Sequence, residues 1–101
     1  MSAGGPPTGR VDAGEGVGFY VQLAAAATAL DTEGERWRRL GAEVRVLREA
    51  RMLKYQAGPY GSLPAAAAAA RAAGGLGFAG AFPVGYRGGA RLTPPELAAF
   101  R

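Results

Sequence analysis

The chain contains no cysteine and no histidine, and it also lacks isoleucine and asparagine. Without thiolate or imidazole, a zinc site built on those ligands is excluded. So are the Ser-His-Asp and Cys-His nucleophile systems. No disulfide can staple the fold. Lysine is nearly absent, with 1 Lys against 11 Arg. Isoleucine and asparagine use AT-rich codons, so their loss, together with the Arg, Ala and Gly excess, follows from a GC-rich coding sequence. The choice of Arg over Lys therefore carries less functional weight, although a guanidinium is the better fork for phosphate or carboxylate.

Large apolar side chains are scarce too. Of 101 residues, 23 are Ala and 17 are Gly, leaving 26 Val, Leu, Met, Phe, Trp and Tyr to build a core. Burial stabilises by roughly 25 cal/mol per Å² of apolar surface, and alanine offers little area. The expected core is thin. The apolar run 16–30 is shorter than the ~20 residues a membrane helix needs, and the run 64–86 contains Arg71 and Pro83, so no transmembrane span is expected. The first residues resemble neither a signal peptide nor a transit segment. A cytoplasmic protein, cytoskeletal or complex-associated, is the expectation, with an organelle left open.

What the chain does have is positive charge, +4 overall and unevenly spread. Residues 31–57 hold seven basic and five acidic groups; residues 58–101 hold four arginines against Glu96 alone. A basic surface favours acidic partners without choosing among nucleic acid, an anionic membrane face and protein.

Residues 1–16, rich in Gly and Pro, read as a flexible tail. In the segment 17–30, Phe19, Leu23 and Leu30 fall near one helical face. Thr32 and Glu35 fit a capping box, with acids in the first turn where the helix dipole favours them. Trp37, Leu40, Val44 and Leu47 then follow at spacings of three and four, and Glu35 to Arg39 is a favourable i, i+4 pair. Gly58-Pro59 stops the pattern. The spacing predicts one long basic amphipathic helix over 32–57.

Ser62 or Leu63, with Pro64 in the first turn, opens a second helix that ends at Gly74-Gly75. Residues 74–89 read as irregular chain or a weak strand pair. Thr93-Pro94-Pro95-Glu96 is another capping box, starting a terminal helix. The fold expected is mainly α: the long helix, shorter Ala-rich helices, and extended Gly/Pro-rich segments. Residues 17–101 form either one small helical domain or an extended chain bound to a scaffold.

Gly75-Leu-Gly-Phe-Ala-Gly80 matches G-x-G-x-x-G, but a dinucleotide site needs a preceding strand, a following helix and an acid ~20 residues on. Here an Ala-rich helix precedes and Pro83 follows. No base, nucleophile and oxyanion donor come together, so no enzyme, cofactor or metal is expected. Contact residues are expected among Arg36, Trp37, Arg38, Arg39, Arg45, Arg48, Arg51 and Lys54 of the helix, and among the aromatics Tyr60, Phe78, Phe82, Tyr86 and Phe100. The basic residues otherwise form a solvated face, and the aromatics a small local core. The leading expectation is a non-catalytic accessory subunit lying along a larger, acidic-surfaced protein assembly. A small basic RNA- or DNA-binding protein is the alternative, and a nucleotide-binding enzyme a distant third.

Overall fold

Val17, Phe19, Val21 and Leu23 alternate with Gly18, Tyr20 and Gln22. A helix over this segment puts Phe19, Leu23 and Leu30 on one stripe but strands Val17 and Val21 elsewhere. An extended chain, with side chains alternating between faces, buries all four on one side. In the computed structural model, which describes residues 16–101, the segment Val17–Ala26 is strand β1, and those four residues are buried.

The same period overrides the helical reading farther on. The expected helix over 32–57 does not form. Its first part is a short helix, α1 (Glu35–Arg39), and the rest is an antiparallel hairpin of β2 (Val44–Glu49) and β3 (Met52–Tyr60). Leu53, Tyr55 and Ala57 point into the core while Lys54 and Gln56 point away, which a helix could not arrange. The start of α1 also differs from expectation. Its N-cap is Gly34, no side chain caps it, and Thr32 plays no part. The Glu35–Arg39 pair does form, on the exposed side of α1.

The remaining elements are α2 (Leu63–Gly75), β4 (Phe82–Arg87), β5 (Ala90–Arg91) and α3 (Pro94–Ala98). Helix α2 begins as the sequence indicates, with the Ser62 side chain accepting from the Ala65 amide. Helix α3 carries the complete Thr93/Glu96 capping box. Gly58-Pro59, expected to stop a helix, lies inside β3. The expectation for residues 1–16 lies, apart from Gly16, outside the described residues.

The five strands run in the order β2-β3-β1-β4-β5, each antiparallel to its neighbour. The fold is mainly β, correcting the mainly α expectation. All three helices contribute to one core on one sheet face. Leu63, Ala66, Ala70 and Ala73, at helical spacing along α2, face the sheet and are buried. Small side chains there let the helix lie close to the strands. Trp37 packs edge-on against Tyr55 and Phe78, with ring centroids 5.6 and 4.9 Å apart. Phe100 meets Phe19 at 5.2 Å. At Gly85 a Cβ would stand 2.9 Å from both Leu92 and Leu97, so this strand glycine lets the end of the chain press onto β4.

The sheet is strongly curled. Register irregularities on β1, between Phe19 and Val21 and between Gln22 and Ala24, bend the β1–β3 pair. Neighbouring strands lie about 4.8 Å apart, so in a flat sheet the two outermost strands would be separated by about 19 Å. Yet Glu49 on β2 and Arg91 on β5 meet at 3.0 Å. The two edges face each other across a trough.

Candidate functional site

The trough is the sheet face opposite the helices, and the curl of the sheet itself buries its floor, Gln22, Gln56, Val84 and Tyr86. Its polar side chains come from alternate positions, Tyr20 and Gln22 of β1, Lys54 and Gln56 of β3, Arg45 and Glu49 of β2, Tyr86 of β4 and Arg91 of β5, and Leu47, Met52 and Val84 share the same strand phase. Residues of these kinds stand at the polar positions of alternating strands, the signal that could have identified the face from sequence.

Five of them close a ring of hydrogen bonds. The Gln56 side-chain amide donates to Gln22 Oε1 (3.3 Å) and to the Tyr86 hydroxyl (2.9 Å). The Tyr86 hydroxyl donates to Glu49 Oε2 at 2.8 Å. Arg91 donates to Glu49 Oε1 at 3.0 Å and to Gln22 Oε1 at 2.8 Å. Outside the ring, Arg45 donates through Nε and Nη2 to Gln56 Oε1, at 3.1 and 2.8 Å. Arg45 can only donate, so it fixes which end of the Gln56 amide faces it. Gln56 is 0% exposed and has every polar atom engaged, as a buried amide requires.

Aromatic rings complete the wall. The Arg45 guanidinium lies 3.5 Å from the Tyr20 ring centroid and 4.9 Å from that of Tyr86. The two rings meet edge to face, 6.1 Å apart. Burial pushes the Tyr86 hydroxyl above its ordinary pKa; the hydrogen bond from Gln56 works against this, and the one to Glu49 adds to it. Lys54 Nζ stands 3.7 Å from Glu49. The trough thus carries three cations and one anion, a local charge of +2 by that count, and each cation already has a polar partner.

Of the thirteen residues expected to make contacts, the fold gathers Arg45, Lys54 and Tyr86 here. The others disperse. Trp37 and Phe78 are core residues, and Tyr60 and Phe100 pack against that core. Arg36 stacks on Phe78 at 4.5 Å and donates to the Gly77 carbonyl. Arg38 donates to the Glu33 carbonyl, and Arg39 pairs with Glu35. Arg48 and Arg51 are exposed near the β2–β3 turn, and Phe82 is 45% exposed at the start of β4. Sequence reasoning missed Tyr20, Gln22, Glu49, Gln56 and Arg91.

The Gly75–Gly80 motif lies in the chain leading from α2 into β4, with no strand before it and no helix after it. A small apolar groove between α2 and α3 is lined by Leu63, Ala67, Pro83 and Leu97, with Arg101 beside it. Among the described residues there is no cluster of acids suited to a metal ion. No helix among them is long and apolar enough to cross a membrane. Comparison with family models, with curated proteins and with solved structures found no match for this chain.

Proposed function

We propose that the chain is a non-catalytic binding module that takes an extended, hydroxyl- and amide-bearing polymer, a polysaccharide strand, along the trough of its curled sheet. The observation that carries this reading is the part-exposed rim of Tyr20, Arg45, Glu49, Lys54 and Arg91 over a buried hydrogen-bonded floor of Gln22, Gln56 and Tyr86, on the sheet face opposite the helices. A polar network generally stabilises a fold no better than apolar packing of the same shape. Its presence where the chain is locally least suited to bury itself is the pattern of a binding surface.

The chemistry favours a sugar polymer over a phosphate backbone. Amides, phenol hydroxyls and a guanidinium lying on a ring match the alternating hydroxyls and apolar ring faces of a carbohydrate. A phosphate backbone calls for unengaged cations, because its affinity comes from releasing counterions. Here Arg45, Lys54 and Arg91 are already paired.

The acidic protein surface suggested by the arginine pattern has lost its carrier, since Arg36, Arg38 and Arg39 lie on α1 and Arg45, Arg48 and Arg51 on the hairpin. A nucleic-acid reading keeps one supporting observation, the Tyr20 and Tyr86 rings beside cations on an open antiparallel sheet.

The test is retention of the purified chain on a panel of insoluble polysaccharides, followed by calorimetry with soluble oligosaccharides. Retention is expected to be weakly salt-dependent, and Tyr20→Ala or Arg45→Ala to weaken it roughly ten-fold or more, as loss of a central contact does. Failure to bind any polysaccharide, with RNA binding that falls steeply as salt rises, would transfer the function to nucleic acid.

A further inference from the structure

Glu49 is the one acid in the trough, and it sits in a receptor for a carboxylate. Its Oε1 accepts from Arg91 at 3.0 Å and faces Lys54 Nζ at 3.7 Å, while its Oε2 accepts from the Tyr86 hydroxyl at 2.8 Å. We propose that this corner is a carboxylate-recognition site, occupied by Glu49 in the free chain and taken over by a carboxylate on the bound polymer. The inference rests on the binding face assigned above and adds the chemical class of the ligand: an acidic rather than a neutral polysaccharide.

Two features make the exchange feasible. The receptor stays built when Glu49 leaves, because Arg91 is also held by Gln22, and Tyr86 also accepts from Gln56. The occupant can be reached from solvent: the Glu49 and Arg91 side chains are 25% and 31% exposed, so water lowers the net strength of the pair. Glu49 is also the last residue of β2, directly before Ala50 and Arg51, which both sit at positive φ, 50° and 67°, without being glycine. A turn under that local strain gains by relaxing when its neighbour is released.

The experiment empties the receptor and refills it with the simplest carboxylate. Glu49→Ala is melted in sodium acetate and in sodium chloride of equal ionic strength. Acetate is expected to raise the melting temperature of the variant by several degrees over chloride, by binding the folded state, and to leave the unsubstituted chain unmoved. Equal melting of the variant in the two salts overturns the proposal, as does an equal acetate effect on both proteins. If Glu49→Ala does not fold, Glu49→Asp, which withdraws the carboxylate by one methylene, carries the same expectation at smaller size.

In a second arm, affinity for an oligogalacturonate is compared with affinity for a neutral glucan. Glu49→Ala should gain about five-fold on the acidic polymer, the equivalent of one part-exposed ion pair, and nothing on the neutral one. A loss on the acidic polymer contradicts the proposal. The acetate arm uses no polymer, so its success alongside a failure to bind any polysaccharide would sink the proposed function and leave the carboxylate site standing.

Discussion

Replacing Gln56 with methionine tests whether the polar ring organises the fold. Methionine fills nearly the same volume and opens no cavity of consequence, so the change isolates hydrogen bonding. Four side-chain bonds vanish: two accepted from Arg45 and two donated, to Gln22 and to Tyr86. The net loss per bond is about 0.5–1.5 kcal/mol. Arg45 is part-buried and can turn its guanidinium to water, recovering most of its share, whereas Gln22 and Tyr86 are buried and cannot. The expected cost is about 2–3 kcal/mol once that recovery is counted. Small domains have about 5–15 kcal/mol of stability in total, so the change is large. Urea denaturation reads it directly: at a slope of about 1–1.5 kcal/mol per molar the midpoint should fall by roughly 2 M. An unchanged slope would show that the loss lies in the native state. A midpoint within error of the starting chain, or above it, would refute the reasoning, because the ring would then be an incidental arrangement of surface groups.

Gly85→Ala pushes a methyl into Leu92 and Leu97 and should cost about 1–3 kcal/mol, the range for overpacking, read as a lowered thermal midpoint. Ala50→Asn combined with Arg51→Gly puts the residues that a positive-φ hairpin turn prefers at both positions; it should stabilise by roughly 1–2 kcal/mol, and a lower urea midpoint would count against the strain. Backbone and side-chain hydrogen bonds from Thr93 hold the Glu96 carboxyl below its ordinary pKa; a lowered folded value means stability present above the unfolded pKa and lost as pH falls through the folded one. NMR titration of Glu96 in Thr93→Ala should show that value moving back up. The Tyr86 hydroxyl is shifted the other way, so its contribution is complete below the unfolded pKa of about 10 and is lost as pH rises through the folded value. Titration of phenolate absorbance should show a late component that is lost in Tyr86→Phe.

The parts of the fold legible in sequence are those whose structure is decided locally. Ser62 and Pro64 start α2, and Thr93 with Glu96 starts α3, because a cap acts within one turn and needs no partner from elsewhere. The strands were misread because their burial is decided at long range. Trp37, Leu40, Val44 and Leu47 do fall at helical spacing, but two of them belong to the α1 region and two to β2, and the common stripe is coincidental. The rival alternation in Leu53-Lys54-Tyr55-Gln56-Ala57 was present throughout. What hid it was the turn. Hairpins usually announce themselves by Asn-Gly or Asp-Gly between the strands, and this one turns on Ala50-Arg51, residues whose propensities point to helix. With no visible break, 32–57 reads as one element.

The trough was illegible for a related reason. Its members are drawn from all five strands, and the ring closes only once the sheet has curled enough to bring β2 over β5. Arg91, seen alone, is one more arginine in a chain rich in them, and Gln22 and Gln56 are neutral residues with no motif. Their meaning comes from position: each occupies the polar phase of a strand whose other phase is core. Charge on its own does not reveal this face, because it singles out arginines in proportion to their crowding. Of the most crowded, Arg38 and Arg39 contact only residues beside them and Arg36 reaches the Gly77–Phe78 segment, whereas the isolated Arg91 joins the two edges of the sheet. In a chain whose coding bias multiplies arginine, the guanidiniums that join distant strands are found by asking which of them lie on the sheet face opposite the core.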